Sequence, residues 1–599
     1  MKEEKNEFLG LLCNLYLVVL LVVLPLYTGN GYWQLGDTKY TLFRNLSFLC
    51  LGGWLLAGMP GRVRGVAEYF RRRNTCHDID ECLILRTEPA GDEDVRPEEA
   101  GRKAAERKQK GGGRNRRKRT VFSGMDFAMM SYGICVVLSA VCSSYGKLAW
   151  VGYEGWYMGA ISQLLFIGIY FFVSRQYAGA VWPVYLGEAA FFLVTLLGLL
   201  HRLGIDPLGL MGSWNSRDWE YSHMLSTLGN INWLCGYYSV AMAFVIVSFL
   251  GEKRRWLQAV LYLISVSAFV LLLLQGSQSG LLILGACVAV CFLLGRRQGG
   301  VWGKLLLLLA GTCFCMPLME WLMRLRGSKA AVVADGNIFA FTSRYGWMLA
   351  GVSCIFLFLL LEKKGEGFSR EKLLPLIALS AFTAVAVLAG LLFWRGIDDS
   401  FGSGRGFLWR IAVESFMEAD GKEKLLGAGP DCYGEAVFGR LGADTDVWKG
   451  EHWEGAVFTN AHNEILSQLC NVGILGTVCY LAIFFAGIYR YGYAERPERP
   501  ERPERPERPE RPEKPERKEM LRNPEEHRKC EMPEKADVQE PQGSLTGRYM
   551  GDTGLLALAM YGFHSLVSFQ QVLNAPLLFL VLGLCEAEKR KANRDDAAA

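Results

Sequence analysis

Charge is missing from long stretches of this 599-residue chain. That absence excludes a plain string of three or four soluble domains, which is what the length alone would allow. The first apolar segment, 8–27, has no small-residue cleavage site and is too long for a signal-peptide core, and a second apolar run follows closely. It reads as a membrane anchor. The long polar segment near the C-terminal end has one cysteine, Cys432, so no disulfide framework is expected there. Most of the 17 cysteines sit inside apolar runs, where the thiol behaves as a small hydrophobe. Cys76, His77 and Cys82 match no regular metal spacing. The basic run 108–119 has neither aromatic platforms nor a folded reader around it, which argues against nucleic acid. No internal repeat stands out, and Glu188 is one of few ionisable residues inside an apolar run.

What is present is apolar length. Hydrophobic residues make up 51% of the chain, yet whole stretches are purely polar, so the two kinds are segregated. A helix needs roughly 20 apolar residues to cross about 30 Å of hydrocarbon. Segments 8–27, 41–59, 126–145, 156–174, 181–200, 231–250, 256–274, 279–296, 301–320, 346–361, 373–394, 465–489, 553–569 and 574–586 meet or approach that length. The expected fold is therefore an all-α polytopic membrane protein with about 14 transmembrane helices (12–14). Basic residues cluster in 60–124, 252–255, 296–297, 363–364, 495–530 and 589–591. With both termini cytoplasmic and every run crossing, all these clusters fall on the cytoplasmic side, as the positive-inside rule requires.

The organisation follows. Residues 1–59 form an N-terminal helix pair and 60–124 a basic cytoplasmic loop, 125–394 a helix bundle, and 395–464 a large outer loop. A helix at 465–490, a cytoplasmic linker at 491–548 and a final helix pair with a basic tail at 549–599 complete it. The basic loop suits a disordered stretch and contact with anionic headgroups alike. The linker opens with six Glu-Arg-Pro triplets over 495–512, whose prolines forbid a continuous helix and favour an extended spacer. Residues 321–345 carry Arg324, Arg326, Lys329 and Arg344 on the side where cations are disfavoured. An anionic substrate would account for them, and so would insertion that ignores local charge.

The outer loop holds the candidate chemistry. Gly404-Arg405 is followed by Trp409-Arg410, then by Leu426-Gly-Ala-Gly-Pro430, and the chain re-enters the apolar phase through Asn460-Ala-His462-Asn463-Glu464. Asn460 is positioned to cap the helix that follows. An imidazole is the natural general base near neutral pH. Guanidinium groups bind phosphate oxygens bidentately and stay charged. A lone histidine is as a rule a structural residue, and composition alone favours that reading.

Several of these segments, in order, resemble the O-antigen ligase and polymerase superfamily. Ala461-His462-Asn463-Glu464 through Gly473-Ile-Leu-Gly476 is similar to the His-Asn helix that leaves the family's outer loop. Arg405 with Trp409, Leu426 to Pro430, Ser226 to Asn232 and Phe563-His564 to Phe569 resemble further family elements, over about 220–586. The resemblance implies a GT-C-like membrane glycosyltransferase architecture and an inverting, metal-independent transfer that uses no cofactor. It further implies a polyprenyl-diphosphate-linked glycan as donor, a glycan, lipid or protein hydroxyl as acceptor, and action at the outer face of the cytoplasmic membrane. His462 would be the catalytic base and Arg405 would bind the donor diphosphate, with Arg410 and Arg344 as companions. Asn463 and Gln278 would support them. Gln278, in Gly276-Ser-Gln-Ser-Gly280, stands where family members often carry an arginine, which is a departure from the pattern. A transporter or flippase of lipid-linked oligosaccharide is the alternative from another class.

Overall fold

The computed structural model describes residues 2–77, 122–210, 223–296, 298, 300–327, 344–363, 398–399, 401–441, 458–492 and 547–598. The apolar run 373–394, most of the basic loop, the Glu-Arg-Pro linker and Cys82 lie outside them, as do the side chains of Cys76 and His77. The remaining apolar runs each lie mostly within a helix. These are α1 (Lys2–Val18, continued by a π-helical turn Val19–Val23 and Leu24–Leu26), α2 (Leu35–His77), α3 (Gly124–Cys142), α4 (Ala160–Gln176) and α5 (Trp182–Arg202). A two-residue ribbon, β1 (Met224–Leu225) with β2 (Gly229–Asn230), precedes α6 (Ile231–Gly251). Then come α7 (Arg255–Leu274), α8 (Ser279–Gly295), α9 (Val301–Arg326) and α10 (Arg344–Lys363). The long polar loop, expected from the sequence to be the outer loop and named accordingly, contains α11 (Phe401–Glu418), α12 (Gly421–Leu426) and α13 (Tyr433–Leu441). The chain closes with α14 (Glu464–Gly492), α15 (Gly547–Ser565) and α16 (Ala575–Ala598).

Among the described residues seven helices are long and apolar enough to cross a membrane: α1, α3, α5, α6, α7, α9 and α14. Three more, α4, α8 and α10, are apolar but shorter. The outer surface carries exposed Leu15, Phe48, Ile134, Leu193, Leu263, Phe356 and Phe485. Such a surface is unfavourable in water and at home in hydrocarbon, where each backbone polar group is satisfied inside its own helix. The protein is thus an all-α, membrane-embedded one. Its central post is α6, buried almost throughout and packed against α5, α7 and α15.

Polar clusters mark the two ends of this bundle. At one end, Ser123 and Asp126 form a reciprocal cap on α3. Buried Asp126 also accepts from Tyr170 at 2.8 Å and Arg175 at 3.0 Å, and pairs with Arg590. Arg490 pairs with buried Glu586 at 3.0 Å. These contacts tie α3, α4, α14 and α16 together. Glu188 is near the same end, accepting from Ser248, which in turn contacts Tyr549. It joins α5, α6 and α15, so the isolated mid-span carboxylate of the sequence has partners.

At the opposite end the outer loop builds a small core of its own. Phe407, Leu408 and Ile411 of α11 meet Tyr433 and Val437 of α13 and Phe458. The loop is pinned to the bundle by a clasp. Inside α14 the helix breaks at Gly473, with φ 67° and ψ −173°. The break leaves the Cys470 and Asn471 carbonyls to accept from the Ala428 and Gly429 N–H groups, both at 2.9 Å. Gly427, with φ 81°, crosses so closely that a Cβ there would lie 2.2 Å from the Asn471 carbonyl oxygen. Only glycine fits that approach, which is what the Gly-Ala-Gly-Pro run supplies. Arg326, read as a cation on the wrong side, donates to the Leu203 carbonyl at 2.9 Å beyond the end of α5. This is a structural task at a helix C-terminus.

Candidate functional site

The site lies where the outer loop meets the bundle, and its first residue is held by backbone. His462 has φ 47°, a left-handed conformation costly for a residue with a Cβ. The Asn460 side chain sustains it by accepting from the His462 N–H at 3.0 Å. The Asn463 side chain accepts from the Leu466 N–H at 3.1 Å, so Asn463 caps α14. The sequence had pointed to Asn460 for the cap. That residue shapes the histidine turn instead, because the chain bends once more before the helix begins. Glu464, at the first turn of α14, is buried and accepts from Tyr561 at 2.9 Å and from Tyr480. It anchors the turn from below.

The His462 ring meets Phe569 edge to face, centroids 4.9 Å apart. It is partly buried. Burial, and then the neighbouring Arg405 guanidinium, push its imidazole down from the ordinary 6.5 to about 4. The ring is therefore neutral at physiological pH, with a lone pair able to take a proton.

Arg405 and Arg410 share α11 but point apart, since five residues on a helix turn through about 140°. Arg405 is partly buried, donates to the Gly402 carbonyl at 3.1 Å, and its charge reaches His462, His564 and Cys235. Arg410 is exposed and already bound, to Asp399 at 2.7 and 2.9 Å and to Glu414 at 3.2 Å. It stands on the solvent side of α11 as an ion-paired surface cation. The Arg344 side chain lies outside the described residues. Gln278 is exposed at the tip between α7 and α8, whereas its neighbours Ser277 and Ser279 are buried. Their hydroxyls are 2.9 Å apart, and Ser277 donates to the Asn232 side chain at 2.7 Å. Asn232 opens α6, so this turn at the N-terminus of α8 is fastened to the central helix.

One residue of this group was quoted in the sequence only as part of a resemblance. His564, at the end of α15, is completely buried, and among the described residues neither ring nitrogen has a hydrogen-bond partner. A buried polar group left unsatisfied costs about 1–3 kcal/mol, so such an imidazole in a site is waiting for a ligand or a proton. The segment after it, 566–574, carries Phe569 to His462 and Gln571 to the Asn232 and Trp233 carbonyls, each at 3.5 Å. Its signal in the sequence was a histidine among apolar residues, which periodicity reads as core. The site thus joins Arg405 from α11, His462 from the re-entry turn, His564 from α15 and the Ser277–Ser279 turn of α8. It offers one guanidinium, two imidazoles and two hydroxyls at a helix N-terminus, a donor set suited to an anion beside a base.

In comparisons with known proteins, no family model matches the chain, and no curated protein matches it. The fold and site define an all-α membrane-embedded protein with an arginine and two histidines gathered at one end of its bundle.

Proposed function

We propose that this protein transfers a glycan from a polyprenyl-diphosphate carrier to an acceptor hydroxyl at the outer face of the cytoplasmic membrane. It would be a cell-surface polysaccharide ligase or polymerase of the O-antigen ligase type, in a GT-C-like bundle of about 14 spans with both termini cytoplasmic. The observation that carries the reading is the convergence of Arg405, His462 and His564 beneath the outer loop.

In the reaction, the diphosphate of the donor sits against Arg405, with His564 and the Ser277 and Ser279 hydroxyls as hydrogen-bond donors. His462 accepts the proton of the acceptor hydroxyl. The freed oxygen pair forms the new bond to the anomeric carbon from the face opposite the diphosphate. The carbon–oxygen bond to the carrier breaks, and its electron pair stays on the departing diphosphate. Arg405, itself partly buried, meets that growing charge. The proton on His462 then leaves to solvent. The bilayer holds the donor lipid at the site and supplies the proximity term.

Donor binding also prepares the base. Burial, and then the Arg405 charge, keep His462 too weak to take a proton readily. A bound diphosphate offsets that cation and raises the imidazole toward neutral pH, where base catalysis is most efficient.

Binding of a polyprenyl diphosphate to the purified protein tests this directly. The wild type is expected to bind it, with Arg405→Gln and His564→Phe weakened about 10- to 100-fold, as loss of one hydrogen bond to a charged group implies. Equal binding by all three would remove the diphosphate pocket from the account.

A further inference from the structure

Beside His462 lies a small cavity of different chemistry, about 40 Å³ of enclosed space that widens to about 490 Å³ where it opens to solvent. Among its lining residues are Gln163, Gln468, Gln570, Asn460, Glu464 and Trp156. No lysine or arginine is among those described around it, while two carboxylates, Asp431 and Glu464, are. An anionic ligand would find no cation there to pair with. An apolar one would leave the buried Asn471 side-chain oxygen without a partner.

The carboxamides are fixed in place. Tyr132 donates to Gln163 at 3.0 Å and has Gln468 at 3.3 Å. Gln163 donates to Gln570 at 2.7 Å, and Gln570 to Tyr480 at 3.3 Å. Asn471, which also lines the cavity, keeps a buried side-chain oxygen with no hydrogen-bond partner among the described residues. Each carboxamide presents both a donor and an acceptor, as a hydroxyl does. Aromatic walls complete the cavity. Phe569 meets Trp156 and His462 edge to face, each at 4.9 Å, so one ring links the cavity wall to the base. Trp156 is partly exposed, and its indole gives an apolar face with two flexible angles to fix.

We infer that this cavity is the acceptor subsite, and that it takes the hydroxyl edge of a neutral sugar whose ring stacks at the mouth on Trp156. The inference rests on the glycan-transfer reading, and deepens it by separating the two substrates. The diphosphate belongs to the cationic side of His462, and the acceptor belongs to the carboxamide side. A lipid phosphate or a uronic acid is excluded as the group placed beside the base.

The test uses the full-length protein in lipid nanodiscs and saturation-transfer-difference NMR. The probes are a neutral methyl hexopyranoside and the matching methyl uronate. The wild type is expected to saturate the neutral glycoside and not the uronate. Trp156→Ala is expected to weaken glycoside binding about tenfold, and Asn471→Leu to weaken it as well, with circular dichroism unchanged in both. Glycoside binding indifferent to both substitutions overturns the inference, as does equal binding of the uronate. Transfer from a polyprenyl-diphosphate donor is measured in parallel. Transfer by a wild type that binds no glycoside removes the subsite and leaves the glycan-transfer reading. Glycoside binding without transfer removes that reading and leaves a sugar-binding cavity.

Discussion

The protonation of His462 gives the sharpest quantitative prediction. Its ring is moved from the ordinary 6.5 to about 4, by burial first and by Arg405 second. That difference corresponds to about 3 kcal/mol against protonation, at about 1.4 kcal/mol per tenfold. A single negative charge about 6 Å away, at an effective dielectric of about 20, is worth about 3 kcal/mol in the opposite direction. Loading the site with a polyprenyl diphosphate is therefore expected to return the ring to about 6. Histidine-labelled protein has seven imidazoles to observe, and His462→Gln identifies the one that matters. The kinetic counterpart is a split between profiles. The acid limb of kcat/KM for the donor reports the free enzyme and falls near 4, whereas that of kcat reports the complex and falls at about 6. A His462 ring that titrates near 6.5 without lipid, or that does not move when lipid binds, refutes the reasoning.

Further expectations follow from other parts of the structure. Arg410→Ala should leave transfer within about twofold of wild type, because its exposed pairs with Asp399 and Glu414 are worth at most about 1 kcal/mol, whereas Arg405→Ala should remove it. A Cβ at Gly427 would collide with backbone at 2.2 Å, so Gly427→Ala should destabilise the loop by about 2–4 kcal/mol, read as lost hydrogen-exchange protection at Ala428 and Gly429. Burial pushes the Asp431 carboxyl up to about 7, although it accepts from the Tyr153 and Met158 N–H groups at 2.7 and 2.9 Å. The folded loop thus favours the proton more than the unfolded chain does, so stability is greatest below about 4 and falls as pH rises through 7. The loss is on the order of 4 kcal/mol for this group, and thermal melts of Asp431→Asn should lack that component.

The helices were legible because their cause is local. A run such as 231–250 has one apolar composition from end to end, and Ile231–Gly251 follows it almost residue for residue. The break at Gly473 was not legible, because nothing nearby in sequence demands it. It arises from the Gly427–Gly429 segment crossing α14 and taking two carbonyls. For the proposed site, Arg405 and His462 were singled out by the resemblance of their segments, since residue type alone favours a structural histidine. Arg410 shares the Arg405 segment, and only its orientation on α11, toward Asp399 and Glu414, takes it out of the pocket. His564 and the Ser277–Ser279 turn come from distant parts of the chain and meet through packing of α15 on α8 and α6. The cap was misplaced by three residues for a similar reason: two asparagines flank the histidine, and only the backbone conformation distinguishes the cap from the bend.

The central claim is that this protein carries out glycan transfer with His462 as base. In a reconstituted system with a purified polyprenyl-diphosphate-linked glycan and EDTA present, the wild type is predicted to form the transferred product. His462→Ala, equally well inserted, is predicted to form none. Undiminished transfer by His462→Ala would contradict the account, as would a wild type that only moves the donor across vesicles without consuming it.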